Sequence, residues 1–137
     1  MTVAVEPAPP RRLARPLAAV TVAYTLVLVF ATHYPRPEEL LGPNPPSDKT
    51  LHFAAYGLLG LFVAATLAAG GRWSRASAGR LLVALAAFAA LDEATQPLFG
   101  RSAEPLDWVC DVIGIATGIA VVALVRRWLE SRSPVTP

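Results

Sequence analysis

The chain alternates between long apolar blocks and short polar ones. Apolar side chains dominate residues 17–30, 51–69, 81–99 and 108–125. A membrane-spanning helix needs roughly 20 mostly apolar residues. The last three blocks meet that requirement directly, and the first meets it when extended to about 13–34. The pattern predicts an all-α membrane protein in which four transmembrane helices form a bundle, with no separate soluble domain. Residues 13–129 are expected to form the four-helix transmembrane domain. Residues 1–12, rich in proline and lacking apolar periodicity, are expected to be a disordered cytoplasmic tail, and 130–137 a second cytoplasmic tail.

Helix-breaking residues mark where the blocks end. Pro35 and Pro37 predict that the first helix stops near Tyr34, because proline disfavours helical geometry at its own position and the one before it. Three more prolines, Pro43, Pro45 and Pro46, fill the following loop. Such a segment favours extended geometry and loses little entropy when it packs down. It reads as a stiff connector, or as a cover over the outer mouth of the bundle. Ser47 or Asp48 can cap the second helix. Pro97 predicts an end of the third near Gln96, and Asp107 suits the start of the fourth. Trp73 and Trp128 fall at the predicted inner interface, and Tyr34 and Trp108 at the outer one.

The charges refine this picture. Only 16% of residues are charged, against about a quarter in soluble domains. The basic residues are not arranged as a stripe with interleaved aromatics, which argues against nucleic-acid binding. Instead they flank the blocks. Arg11, Arg12, Arg15, Arg72, Arg75, Arg80, Arg126, Arg127 and Arg132 gather on one side, and Arg36, Lys49 and Arg101 on the other. The positive-inside rule then predicts that both termini are cytoplasmic. A cleaved signal peptide is the competing reading of the first block, with Arg11 and Arg12 as its charged start and Val29-Phe30-Ala31 as a cleavage-like site. Cys110 is the single cysteine, so it forms no internal disulfide and reads as a small packing residue.

Candidate chemistry begins with Asp92 and Glu93, two carboxylates inside an apolar span. Charges at membrane depth cost several kcal/mol unless paired, protonated or facing water, and so mark functional sites by default. In a four-span weave, Lys49 and His52 at the start of the second span, and Asp107 and Asp111 at the start of the fourth, reach the same side. Asp48, His52 and Tyr56 are spaced by four and share a helix face. Gln96, Asp92, Ala89 and Leu85 form one stripe. Asp107, Asp111, Gly114 and Gly118 form another, whose Gly-x-x-x-Gly step is a close-packing pattern that turns this face inward. The predicted result is a polar pocket open to the outer leaflet. Its five carboxylates against Lys49 and Arg101 leave an excess of negative charge. A protonated carboxyl or His52, a bound cation or a cationic ligand would relieve it. Asp92 is expected to face the pocket centre, with Glu93 paired to Arg101 or Lys49.

Four roles compete for this cluster. His52 could act as a general acid or base oriented by Asp48 or Asp111. One histidine with several carboxylates could hold zinc or magnesium. The cluster could bind a ligand without chemistry, or simply join the helices.

Three segments carry a resemblance. Asp48-Lys49-Thr50-Leu51-His52-Phe53-x-x-Tyr56, Asp92-Glu93-x-x-Gln96, and Gly100-Arg101 followed by Asp107-x-x-x-Asp111-x-x-Gly114 resemble, in order, the motifs of the VanZ-like family over about residues 17–127. The chain departs at Asp111, where the family usually has asparagine. The resemblance implies a multi-pass protein of the bacterial cytoplasmic membrane, with a link to low-level resistance to the glycopeptide teicoplanin. It implies no specific biochemical activity.

The expected function is recognition or modification of an envelope lipid, a lipid-linked envelope precursor or a glycopeptide-type ligand. The alternative is a non-enzymatic docking protein with a structural polar cluster. His52 and Asp92 are the candidate catalytic residues. Asp48, Lys49, Glu93, Gln96, Arg101, Asp107 and Asp111 are the candidate ligand-binding residues. Membrane lipids are the expected partners. The identity of any metal or cofactor, and the oligomeric state, are left open by the sequence.

Overall fold

The computed structural model describes residues 11–36, 39, 41, 42 and 44–132. Among these, four long helices dominate: α1 (Ala14–Thr32), α2 (Asp48–Ala69), α3 (Arg75–Thr95) and α4 (Pro105–Arg132). A short 3-10 helix, Arg11–Leu13, precedes α1, and another, Gln96–Phe99, extends α3. All four long helices are long and apolar enough to cross a membrane. Residues 1–10 of the expected N-terminal tail, 133–137 of the C-terminal one, and Pro37 and Pro43 of the loop lie outside the described residues.

The helix limits follow from local chemistry. The Ser47 hydroxyl accepts the Thr50 N–H at 3.3 Å and caps α2. Ser74 and Ser77 form a reciprocal capping box at the start of α3, which satisfies two donors that a helix N-terminus otherwise leaves free. The α1 helix stops at Thr32, two residues short of the expected end. Proline at 97 does not end the helical path. It is accommodated in the 3-10 turn, where an early proline lacks only an N–H that would be unpaired anyway.

The helices α2 and α4 form the central pair, with α1 packed on α2 and α3 packed on α4. Glycine explains why the central pair is so close. A Cβ built on Gly60 would lie 2.7 Å from the Ile115 carbonyl oxygen, and one on Gly114 or Gly118 would collide with the backbone of Phe53 or Gly57. The predicted Gly114–Gly118 face therefore does turn inward, and Gly57 and Gly60 supply its counterpart on α2. Small residues allow such backbone approach where lipid tails give helices no hydrophobic reason to associate.

Around this seam Leu28, Tyr56, Leu59, Ala64, Leu81, Ala89, Ile115 and Ile119 form the buried core. Large apolar side chains on the outside, including Val22, Leu26, Phe30, Val83, Leu91 and Leu124, are more than 60% exposed, as expected of helices whose outer surface meets lipid rather than water. The α1 helix buries only Leu28 and Thr32. Polar contacts anchor it to α2: the Tyr24 hydroxyl donates to the Ala55 carbonyl at 2.7 Å, and the hydroxyls of Thr21 and Thr66 lie 3.0 Å apart.

Candidate functional site

The end of α1, the start of α2, the end of α3 and the start of α4 meet at one end of the bundle, and the polar residues concentrate there. The site has three parts.

The rim consists of ion pairs. Lys49 Nζ lies 2.6 Å from Glu104 Oε2 and 3.0 Å from Asp107 Oδ1. Arg101 donates from one nitrogen to Asp48 Oδ1 and from another to the Thr32 carbonyl, each at 3.2 Å. Gly100 makes the second arrangement possible. Its φ of +81° turns the chain sharply after the 3-10 helix, a conformation that side chains with a Cβ rarely adopt. The guanidinium then covers a carbonyl at the C-terminal end of α1, where orphan acceptors and the negative end of the helix dipole favour a cation.

At the centre, His52 Nδ1 lies 2.9 Å from Asp111 Oδ1, across the α2–α4 seam. Both residues are buried. With Asp111 ionised, Nδ1 is the donor in this pair. His52 Nε2 is 3.9 Å from Asp48 Oδ1, beyond hydrogen-bond range and turned toward the cavity wall.

On the α3 side, Asp92 and Glu93 are both buried. The Thr32 hydroxyl donates to Asp92 Oδ1 at 3.1 Å, and His33 Nδ1 is 3.6 Å from the same oxygen. Gln96 Nε2 donates to Glu93 Oε2 at 2.9 Å, and the Glu104 backbone N–H donates to Glu93 Oε1. Tyr56 is fully buried with electrostatic neighbours Asp92, Asp111 and Glu93. Among the described residues its hydroxyl meets no partner at full hydrogen-bond geometry, with Asp92 its strongest electrostatic neighbour, and Asp92 Oδ2 and Asp111 Oδ2 are likewise unpaired.

All nine residues singled out from the sequence therefore gather at this end, but some pairings differ from expectation. Glu93 pairs with neither Arg101 nor Lys49. Those cations are held by Asp48 and by Glu104 with Asp107, while amide donors serve Glu93. Burial is not restricted to Asp92, because the 3-10 turn folds residues 96–104 back over the flank of α3 and encloses Glu93 as well. Thr32, His33 and Glu104 were not anticipated. Their signal was faint: two polar residues ending an apolar span, and one acid in a loop.

Two cavities adjoin the cluster. One, of about 170 Å³, is lined mainly by apolar residues of α1 and α2, among them Leu28, Ala31, Leu51 and Ala55, with Asp48, His52 and Arg101 also in its wall. The second, of about 400 Å³, is bounded by Pro35, Leu41, Pro45, Pro46, Gly100 and Ser102 and shares Leu41, Asp48, Leu51 and Arg101 with the first. The proline-rich loop is thus part of the site wall as well as a connector. Two groups of three side chains bring possible metal-ligating atoms within 4.8 Å of one another: Asp48, His52 and Asp107, and the fully buried set His52, Glu93 and Asp111.

No curated protein and no solved structure matches the sequence. A family model described as VanZ/LLP1 matches residues 16–126, a stretch that contains all four spans up to the last turns of α4 and every residue of the polar site. With four apolar helices and this match over most of its length, the chain is a multi-pass membrane protein that belongs to the VanZ/LLP1 family.

Proposed function

We propose that this protein binds an envelope lipid, or the lipid part of a lipid-linked envelope precursor, at the polar end of the bundle, and that this end faces the outer side of the cytoplasmic membrane. The observation that carries the reading is the pair of adjacent cavities that share Leu41, Asp48, Leu51 and Arg101 in their walls. An apolar slot between α1 and α2 beside a more polar cavity walled by Asp48 and Arg101 suits a molecule with a hydrocarbon part and a charged or polar head. A slot of about 170 Å³ has room for a segment of acyl or prenyl chain and excludes a whole glycopeptide, which would reach only the rim. In the bound complex Arg101 contacts a headgroup phosphate, an anion that guanidinium binds through paired donors.

The orientation rests on the basic residues: nine lie at the opposite end of the helices, and Arg36, Lys49 and Arg101 at this one. Each of these three is already ion-paired. His52 is the group best placed for any proton transfer. Asp111 fixes its ring through Nδ1, leaving Nε2 to face a bound headgroup, which is the arrangement of an oriented general base. Asp92, held by Thr32 and His33, acts on the α1–α3 side and supports the site rather than the imidazole.

Native mass spectrometry of the purified protein tests the reading. The parent protein should retain one lipid per chain through detergent removal. Ala31→Phe, which fills the apolar slot, should lose it while keeping the fold. Equal retention by both proteins, or by neither, would overturn the proposal.

A further inference from the structure

Among the described residues, three of the four buried carboxylates, Asp92, Glu93 and Asp111, have no lysine or arginine within ion-pair distance. Lys49 and Arg101, the cations of this end that reach the cluster, are held at the rim by Glu104, Asp107 and Asp48. The inner layer therefore has three acids, His52 and His33, and amide or hydroxyl donors. It also has three buried polar atoms with no partner, the Tyr56 hydroxyl, Asp92 Oδ2 and Asp111 Oδ2. A fully buried tyrosine hydroxyl left unpaired among three carboxylates is costly, because burying a polar group without a partner loses its hydration for nothing. A cation between Glu93 and Asp111 would offset the excess charge and sit beside the unpaired Asp111 Oδ2.

We propose that His52, Glu93 and Asp111 hold one divalent transition-metal ion of the zinc class. Their ligand atoms already lie within 4.8 Å of one another, and all three side chains are buried. Tetrahedral ligand atoms about 2.0–2.2 Å from a common ion lie roughly 3.3–3.6 Å apart, so His52 Nδ1 and Asp111 Oδ1, at 2.9 Å, need separate only slightly to admit one. With Nδ1 on the metal, the ring proton sits on Nε2 and faces Asp48, 3.9 Å away. A carboxylate behind a metal-bound histidine is a common device for orienting the ring and raising its basicity. Asp48 is then a positioning residue. One imidazole and two carboxylates leave a coordination position open, and the Tyr56 hydroxyl is suited to hydrogen-bond whatever fills it. Imidazole favours zinc-class ions over magnesium or calcium. The second group of three, Asp48, His52 and Asp107, is the poorer site because Arg101 and Lys49 already neutralise both of its acids.

This inference does not depend on the lipid reading, and with the ion bound His52 serves as its ligand and not as a general base. It is tested on the full chain in detergent, stripped with chelator and titrated separately with Zn2+, Mn2+ and Mg2+. Elemental analysis after desalting should find one zinc per chain, and zinc should raise the thermal midpoint more than the other ions do. Glu93→Gln and Asp111→Asn, both close in shape to the parent, should lower zinc affinity tenfold or more, while Ser131→Ala, on the last turn of α4, should leave it unchanged. Should the site variants fail to fold, X-ray absorption of the zinc-loaded parent still decides: a shell of one nitrogen among oxygens supports the site. A shell of water alone, substoichiometric zinc, or undiminished affinity in folded variants would overturn it.

Discussion

His52 Nδ1 and Asp111 Oδ1, 2.9 Å apart, join α2 to α4 one turn above the point where Gly57 meets Gly114. The glycines bring the backbones together, and the imidazole–carboxylate pair sits in the space where the helices begin to diverge. In the metal-free protein, Asp111→Ala leaves a buried imidazole N–H without an acceptor and should cost about 1–3 kcal/mol. Asp111→Asn keeps an oxygen acceptor and should cost less. Thermal unfolding in detergent under chelating conditions checks the order; equal losses would show that the hydrogen bond contributes little.

The glycine seam gives a graded series. Gly60→Ala places a methyl 2.7 Å from the Ile115 carbonyl oxygen and should destabilise by about 1–3 kcal/mol, the usual cost of overpacking. Gly57→Ala, at 3.4 Å from the Gly114 carbonyl oxygen, should be markedly milder. Gly79→Ala meets nothing within 4 Å and should stabilise slightly through helix propensity, by up to about 1 kcal/mol. Denaturation midpoints in that order would support the close approach of α2 and α4. A Gly60→Ala protein as stable as the parent would refute it.

Arg101 ties the loop after α3 to the end of α1. Removing its side chain should free the Thr32 carbonyl and loosen α1 locally. Since the Asp48 side chain is 40% exposed and water screens the pair, the global loss should be on the order of 1 kcal/mol or less. Hydrogen exchange should quicken in the last turn of α1 in Arg101→Ala and leave α4 unaffected. Arg101→Lys supplies a point charge without the fork and should restore only part of the protection.

Thr32 and Asp92 link the ends of α1 and α3. Thr32→Val and Asp92→Ala should each lower stability modestly, and their effects should be less than additive. The coupling expected for a hydrogen bond between membrane helices is about 0.6 kcal/mol. A double-mutant cycle measures it, and strict additivity would mean that the two residues act independently.

The proposed orientation is checked with single cysteines in a Cys110→Ala background. Ser102→Cys, on an exposed loop at the polar end, should react with a membrane-impermeant maleimide added to intact cells. Gly71→Cys, at the opposite end, should react only after permeabilisation. The reverse pattern would invert the bundle.

The sequence made the spans legible because lipid is a demanding solvent, and hydropathy alone placed α1 to α4, although α3 starts six residues before its apolar block and α4 ends seven after its own. Helical spacing also brought Asp48, His52 and Tyr56, and Asp107 with Asp111, to the correct faces. Pairings were harder to read. Whether Lys49 reaches Glu93 or Glu104 depends on how the 3-10 turn folds over α3, which no local periodicity encodes. Pro97 signalled a stop, yet its position early in that turn let the chain keep curling. Gly57 and Gly60 carried the seam on α2, but a helix partner had to be placed before their spacing had meaning. Thr32 and His33 matter only through a neighbour about sixty residues away.

Because every span contributes a piece of the polar site, its assembly is all-or-none. Thr32 comes from α1, His52 from α2, Asp92 and Glu93 from α3, and Asp111 from α4. A chain whose last span has not yet packed leaves Asp92 and Glu93 without the cover that α4 provides, and acids at membrane depth are costly without such cover.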